Sequence, residues 1–267
     1  MVARMITLCK QLFNKWVKSK PYIRFYSLTP GVIDLFPIEK SANLVRPYKS
    51  APDYPDVPSS KNCPAINKIT TTGWIVRAPA DFLIKTNGDG TTLEWLESYQ
   101  FNKSSEHSPS SYVVTHGKLQ TEALIDDPAS TLKTVIKLET PWRVEASDDM
   151  VLLQMPVTYN CEPRFTAAIG VLDPKYGHTI NVQIFWNVMQ GETLVKAGTP
   201  LCQFIPVPRS ALSTSSYDMV IENATESDIM KEREFNYAAN CVILKHDNLA
   251  SRLARSLKIL NKYKNRS

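Results

Sequence analysis

The chain has 267 residues, of which 43% are hydrophobic and 21% charged, with nine glycines and eighteen prolines. This length suffices for one large domain or two small ones with a buried core. No apolar run approaches the roughly eighteen residues that a transmembrane helix needs. The glycine spacings form no Rossmann fingerprint, P-loop or hydrolase nucleophile elbow, so the sequence argues against these three classes of enzyme.

The cysteines and histidines give no sign of a metal or disulfide framework. The five cysteines contain no C-x-x-C pair, and the four histidines form no H-x-H or H-E-x-x-H arrangement. We therefore predict no metal and no cofactor. We expect the cysteines to be reduced and mostly buried, as in a cytosol-like compartment.

The net charge of +5 is distributed unevenly along the chain. Residues 1–33 carry a charge of +6, residues 34–244 carry −7, and residues 245–267 carry +6. The sequence thus predicts an acidic body with two basic ends, and the ends are the natural place for acidic partners.

The first element, residues 1–20, is predicted to be a basic amphipathic helix that ends before Pro21. Its apolar residues recur every three or four positions, and it contains no acid. Such a helix is typical of a transit peptide, of a membrane-surface helix, or of a terminal helix docked on a neighbouring subunit. We assign Arg4, Lys10 and Trp16 to partner binding, Trp16 because its helix face has no apolar partner nearby.

Residues 21–210 are predicted to form a β-rich body, after a first strand at 22–28. A proline-rich connection at 46–64 is expected to be extended, without regular structure. The run 73–86 and the turn Asn87-Gly88-Asp89-Gly90 indicate a hairpin. The spacing of the later strands predicts a single β-clip, barrel-like or sandwich body. These strands are expected at 112–115, 132–138, 142–146, 150–155, 165–171, 179–188, 193–197 and 201–207.

Residues 211–267 are predicted to be a helical, basic C-terminal extension. Thr225–Ala239 begins with a capping residue and acids in its first turn, which favours a helix. A second helix is predicted over Asp247–Tyr263, with leucines on one stripe and basic residues on another. We assign the basic stripe to partner binding, because it lacks acids for pairing along the helix. Its residues are Arg252, Arg255, Lys258 and Lys262.

One constellation carries a chemical implication. The segment GVLDPKYGHTINVQIFWN at 170–187 is followed by GETLVKAGTPLCQFIPV at 191–207. Together they resemble the later motifs of the dUTPase and dCTP-deaminase superfamily, whose fold is a β-clip. The resemblance implies a rim turn in which Asp173 lies beside Tyr176 as the candidate catalytic pair, with Asn187 and Gln203 as further motif positions. The serine-containing phosphate motif and the glycine-rich closing segment of that superfamily have no counterpart here.

A second resemblance covers residues 22–210. NCPAINKITTTGWIV, TPWRVEA, LLQMP and GTPLCQFIPVPR, in that order, are similar to a bacterial and phage family known only as a domain of unknown function. That resemblance implies a phage context and no activity.

Three functions follow from these patterns. The first is a non-enzymatic structural or assembly protein, a virion component whose basic helical ends dock on other copies or other virion proteins. The second is a nucleotide-processing enzyme that uses Asp173 and Tyr176. The third is nucleic-acid binding through the basic ends, without sequence specificity. The first is preferred, and it places the protein in a virion or the host cytoplasm as a homo-oligomer without a transmembrane segment.

Overall fold

A computed structural model of the chain describes residues 20–54, 59–97 and 111–241. The predicted helices at 1–20 and 247–263 lie outside these residues, apart from Lys20. The same holds for the residues assigned to partner binding, which are Arg4, Lys10, Trp16, Arg252, Arg255, Lys258 and Lys262.

The described ranges contain thirteen strands and four α-helices, connected by short 3-10 turns. The strands are β1 (Ile23–Ser27), β2 (Glu39–Lys40), β3 (Trp74–Arg77), β4 (Phe82–Asn87), β5 (Leu93–Glu97), β6 (Val113–His116), β7 (Val135–Ala146), β8 (Met150–Met155), β9 (Phe165–Ala167), β10 (Gly170–Leu172), β11 (Thr179–Trp186), β12 (Gln190–Val195) and β13 (Pro200–Pro208). The helices are α1 (Val32–Leu35), α2 (Pro64–Thr71), α3 (Lys118–Thr121) and α4 (Glu226–Cys241). The 3-10 turns are Ser41–Asn43, Pro47–Ser50, Ser60–Asn62, Glu122–Leu124, Arg209–Leu212 and Thr214–Ser216.

The strands form three antiparallel sheets. The first has the order β1-β7-β11-β9, with β6 pairing beside β1 on the same side of the long strand β7. The second has the order β10-β8-β13-β3-β2, and the third has the order β12-β4-β5. Within the described ranges none of these sheets closes into a barrel. The predicted mainly β body is therefore confirmed, in an open multi-sheet form.

One hydrophobic core unites the three sheets. Along β11 every second side chain is buried, which directs Ile180, Val182, Ile184 and Trp186 inward. They pack in one cluster with Phe82 and with residues of β7 and β13. The strand is thus buried on one face only, because the sheet is covered on one side.

Two of the predicted strands form a single strand that runs through Pro141. The runs 132–138 and 142–146 were expected to be separate, with Pro141 between them, but β7 continues from residue 135 to residue 146. Its pairing with β11 shifts in register around Ile180, and Thr140 donates a side-chain hydrogen bond to the Ile180 carbonyl. The proline lies at this bulge, where the missing N–H breaks no regular ladder bond.

Two further predictions need correction. The run 165–171 is divided into β9 and β10, which belong to different sheets. The connection at 46–64 is not wholly irregular, because Pro47 and Pro64 each begin a helical turn. Proline is well suited to that position, since its fixed φ matches the helix and its missing N–H has no partner to lose.

The C-terminal helix predicted at Thr225–Ala239 is confirmed as α4. The Thr225 hydroxyl and the Asp228 carboxylate each accept a hydrogen bond from the other residue's backbone N–H, which caps the helix start. Within the described residues, no helix is long and apolar enough to cross a membrane.

Candidate functional site

Asp173 and Tyr176 do lie in one turn, directly after β10. The backbone amide of Tyr176 donates to the Asp173 carbonyl at 3.0 Å, and the Lys175 amide donates to its carboxylate, also at 3.0 Å. Tyr176 is 82% exposed, with the Lys175 ammonium 5.9 Å from its ring centroid. Asp173 and Tyr176 therefore lie in one hydrogen-bonded turn.

The Asp173 carboxylate is engaged on both oxygens by Arg209. Nη2 of Arg209 lies 2.8 Å from Oδ1, and Nη1 of Arg209 donates to Oδ2. Hydrogen bonding to the guanidinium lowers the pKa of Asp173 from its usual value. A carboxylate held in this way is a poor proton acceptor at neutral pH. Its evident role is to fix the start of the C-terminal extension against the end of β10.

A cleft of about 400 Å³ lies elsewhere, between the edge of β9 and the start of β13. Its buried lining residues are Phe165, Ala167 and Leu201. The loop between β8 and β9, residues 156–164, supplies most of the remaining wall. The wall residues are Pro156, Val157, Tyr159, Asn160, Cys161, Glu162 and Pro163, together with Thr166 and Pro200. The buried lining residues are thus apolar, and the remaining wall includes polar residues such as Asn160, Glu162 and Thr166.

Two wall residues adopt a backbone conformation that favours glycine. Tyr159 has a φ of 54° and Cys161 a φ of 55°. Each such residue costs on the order of 1–2 kcal/mol and persists only where the surroundings impose it. Cys161 is also exposed, against the expectation that the cysteines are mostly buried. Cys63 is half-buried and Cys202 is fully buried, so the expectation holds for Cys202 alone among these three.

A buried arginine bonds to the main chain directly before these two residues. Arg46 is fully buried, and its Nε donates to the Thr158 carbonyl at 2.8 Å. Its two terminal nitrogens donate to the carbonyl and hydroxyl of Ser41, at 2.9 and 2.8 Å. Burial lowers the pKa of the Arg46 guanidinium. The Thr158 hydroxyl in turn donates to the side-chain carbonyl of the buried Gln203 at 3.2 Å. Thr158, which precedes Tyr159, is therefore bonded through both its carbonyl and its hydroxyl.

The other end of the loop is held from β12 and from the end of β11. Arg164 pairs with Glu162 and donates to the Leu194 carbonyl at 2.6 Å. The Asn187 side chain donates to the Pro163 carbonyl at 3.3 Å. Asn187, like Gln203, is a motif position of the dUTPase-type resemblance. Both residues support the cleft loop and are remote from Asp173 in their contacts.

The residues that shape the cleft were missed at the sequence level. Tyr159, Cys161 and Arg46 carry no motif, and no periodicity predicts that a lone arginine before a proline will be buried. One signal of a constrained loop was available in the sequence, since Pro156 and Pro163 flank the short run 157–162. Within the part of the chain that the structure describes, no group of three His, Cys, Asp or Glu side chains could hold a metal.

Comparison with known proteins leaves the family open. No protein-family model and no curated protein sequence matches this chain. Among solved structures, the native dUTPase of EIAV aligns over 76% of this chain and 100% of its own length, at 10% identity and a TM-score of 0.33. That score is too low for an argument about fold or activity. The resemblance to a domain of unknown function stays a prediction.

Proposed function

We propose that this chain is a non-enzymatic assembly protein whose C-terminal extension docks on a second copy. The observation that supports it most directly is a run of apolar side chains held in solvent. Tyr217, Met219, Val220 and Ile221 are 60–86% exposed, in a stretch without helix or strand that we call the apolar segment, residues 217–221. Contiguous exposed apolar surface of this kind marks interaction sites in soluble proteins.

Exposed apolar side chains continue on helix α4, in the same C-terminal extension. Helix α4 exposes Ile229, Met230 and Phe235, although it is a helix of sixteen residues with a capped start. The root of the extension is fixed to the body by the pair of Arg209 with Asp173. A root bonded to the body and followed by exposed apolar residues is the arrangement that a docking element needs, because the root then loses less conformational freedom on binding.

Charge favours a second copy as the partner. The two ends of the chain carry +6 each, and residues 34–244 carry −7. The basic ends of one copy, with Arg4, Lys10 and Trp16 at the first and Arg252 at the second, are therefore attracted to the acidic body of another. The chain's own charge layout thus supports the proposed homo-oligomer. A place in a phage virion, together with other virion proteins, is the finer prediction that the sequence resemblance adds.

The engaged state of Asp173 weighs against the nucleotide-processing alternative. A carboxylate bound by both guanidinium nitrogens must lose that partner before it can activate water. Nucleic-acid binding through the basic ends is the third prediction, and no described residue bears on it.

The proposal is tested with the full chain by mass photometry over a range of concentrations. We expect oligomers, and we expect the Met219→Asp and Ile221→Asp double variant to weaken association by more than about 100-fold, since two buried apolar side chains are lost. Leu119→Asp is the matched control, because Leu119 is 93% exposed and lies outside the extension. A wild-type chain that stays monomeric, or equal losses in both variants, would refute the proposal.

Two further measurements separate the alternatives. Incubation of the full chain with dUTP or dCTP and Mg²⁺ should leave the nucleotides intact, and turnover that disappears in Asp173→Asn would establish the enzyme instead. Binding to DNA that weakens steeply with added salt, in a chain that does not self-associate, would favour the nucleic-acid role. Arg252→Glu with Arg255→Glu should weaken self-association if the basic ends contribute to it.

A further inference from the structure

Strand β10 is an exposed edge of the second sheet. It pairs with β8 on one side, and among the described residues no strand pairs with its other side. Val171 is 49% exposed, and Ile169, directly before the strand, is 73% exposed. Gly170 between them is exposed as well. Because glycine has no side chain, the exposure of Gly170 is exposure of the backbone itself.

The bonding pattern of the neighbouring strands decides which backbone groups of β10 point outward. The Arg209 amide donates to the Asp149 carbonyl at 2.6 Å, at the end of the pairing between β13 and β8. In an antiparallel pair, hydrogen-bonded positions alternate with positions that do not bond. The odd-numbered residues of β8 therefore bond to β13, and the even-numbered residues bond to β10. Pro206 and Pro208, which have no N–H, lie opposite even-numbered residues, as this pattern requires.

Two positions of the edge direct their backbone groups toward solvent. Gly170 and Leu172 lie opposite even-numbered residues of β8, so they bond to that strand. The N–H and C=O groups of Val171 between them therefore point to the open side. Ile169, two positions earlier, belongs to the same set, and it forms no backbone hydrogen bond among the described residues. The outward positions thus flank the exposed Gly170.

This edge lacks the features that keep exposed strands apart. Proteins protect an edge strand with charged residues, with proline or with a bulge. The edge strands β1, β2, β5 and β12 each contain Arg, Lys or Glu. Residues 168–172, with the sequence AIGVL, contain no charge and no proline. Two copies can therefore bring this stretch together without repulsion between like charges.

The edge is also complementary to itself. When two copies of β10 run antiparallel about a twofold axis through Gly170, Ile169 of each copy lies opposite Val171 of the other. Both outward positions then exchange their N–H···O bonds with the partner strand. An axis through Val171 would place Ile169 opposite Asp173, whose carbonyl already accepts two amides of the following turn. An axis through Ile169 would require Ala167, which is buried.

The same pairing covers apolar side chains. Side chains two positions apart lie on one face of a strand, so Ile169 and Val171 share a face. Leu172 lies on the opposite face and packs against the core. In the twofold pair, Ile169 of each copy contacts Val171 of the other, and side chains that are exposed in one copy form a single cluster.

We propose that β10 pairs with β10 of a second copy about a twofold axis through Gly170, so that the second sheets of the two copies form one continuous sheet. This inference rests on the proposed assembly function and names the surface along which two copies meet. Arg209 is bound to Asp173, which follows Val171 by two residues, or about 7 Å of extended chain. The C-terminal extension therefore begins beside this interface, and strand pairing and docking of the extension stabilise the same dimer.

Disulfide formation tests the register of the pairing. Gly170→Cys, Ile169→Cys and Val171→Cys are made in the full chain carrying Cys161→Ser, which removes an exposed native thiol. A Cβ at Gly170 meets nothing within 4 Å, so the substitution is accommodated. At the twofold axis the two Cα atoms of residue 170 lie about 4.5 Å apart, within disulfide range. The equivalent residues at 169 or at 171 lie diagonally, about 7–8 Å apart, beyond that range.

We therefore expect disulfide-linked dimers of Gly170→Cys under mild oxidation. We expect Ile169→Cys and Val171→Cys to give no more dimer than the Cys161→Ser parent. A yield for Gly170→Cys that does not exceed the yields of the other two variants would overturn the inference.

A charge on the edge tests the pairing without any cross-link. Val171→Lys places like charges in the paired strands, and we expect it to weaken self-association by more than about tenfold in sedimentation velocity over a range of concentrations. Val45→Lys is the matched control, because Val45 is 81% exposed and lies outside the second sheet. Unchanged association of Val171→Lys, or equal losses in both variants, would overturn the inference.

The outcomes for the two proposals can be told apart. If the Met219→Asp and Ile221→Asp double variant weakens association while Gly170→Cys gives no specific cross-link, the extension docks and the pairing of β10 is overturned. If Gly170→Cys cross-links specifically while the double variant associates like wild type, the pairing of β10 holds and docking of the extension is refuted. A wild-type chain that is monomeric at all concentrations contradicts both.

Discussion

Arg46 offers the most exacting test of how the cleft is held. The residue is 0% exposed, and its hydrogen bonds go to main-chain carbonyls and one hydroxyl, with no carboxylate among them. Arg46→Met keeps an unbranched side chain of similar length and removes every donor. The substitution leaves the carbonyls of Ser41 and Thr158 without this partner in a buried site.

The expected loss can be estimated from the bonds that disappear. A buried acceptor left unsatisfied costs about 1–3 kcal/mol, and two short bonds to carbonyls are lost. Relief from burying an unpaired cation offsets part of this cost. We therefore expect the free energy of unfolding to fall by about 2–4 kcal/mol. Arg24→Met is the matched control, since Arg24 is exposed and its ion pair with Glu145 contributes only about 0–1 kcal/mol.

Urea unfolding of both variants, followed by tryptophan fluorescence and circular dichroism, gives the comparison. A loss below about 1 kcal/mol for Arg46→Met, with an unchanged dependence on urea, would refute the reasoning. It would mean that the carbonyls of the loop find other partners and that Arg46 does not hold the cleft wall.

Three further predictions follow from single contacts. The hydrogen bond from Arg209 lowers the pKa of Asp173. The stability that this ion pair contributes is therefore present above about pH 4 and is lost as the pH falls through the lowered pKa. Urea titrations should find Asp173→Asn less stable than wild type at pH 7 and equal to it in strong acid. Cys161 is exposed while burial raises the pKa of Cys202 far above its usual value, so a maleimide followed by peptide mass mapping should modify Cys161 and spare Cys202 in the folded chain. Gly73 has a φ of 78°, and a Cβ there would lie 1.9 Å from the Phe204 carbonyl oxygen, so Gly73→Ala should lower the free energy of unfolding by more than about 2 kcal/mol in urea.

A specific outcome would contradict each of these three predictions. A difference between Asp173→Asn and wild type that persists unchanged at pH 3 would show that the ion pair is not its source. Labelling of Cys202 as fast as Cys161 would contradict the buried position of Cys202. Gly117→Ala is the control for Gly73→Ala, because a Cβ at Gly117 meets nothing within 4 Å. Equal stabilities of the two glycine variants would contradict the close approach of the strands.

The sequence by itself determined the elements whose cause is local. The spacing of the strand-like runs predicted the β-rich body, and the turn Asn87-Gly88-Asp89-Gly90 predicted the hairpin of β4 and β5. The capping residue Thr225 and the acids after it predicted the start of α4. In each case, the deciding interactions lie within a few residues along the chain. The charge layout likewise follows from the order of residues alone, and the two ends as partner sites stay a prediction.

Only the tertiary structure decided the candidate site. The engagement of Asp173 by Arg209 joins residues thirty-six positions apart, and the hydrogen bond from Arg46 to Thr158 spans one hundred and twelve positions. The division of the run 165–171 into two strands likewise depended on which sheet each half could join. No local pattern records such pairings, because they depend on which surfaces meet when the sheets pack. For that reason the motif residues Asn187 and Gln203 were visible in the sequence, while the cleft that they support was not.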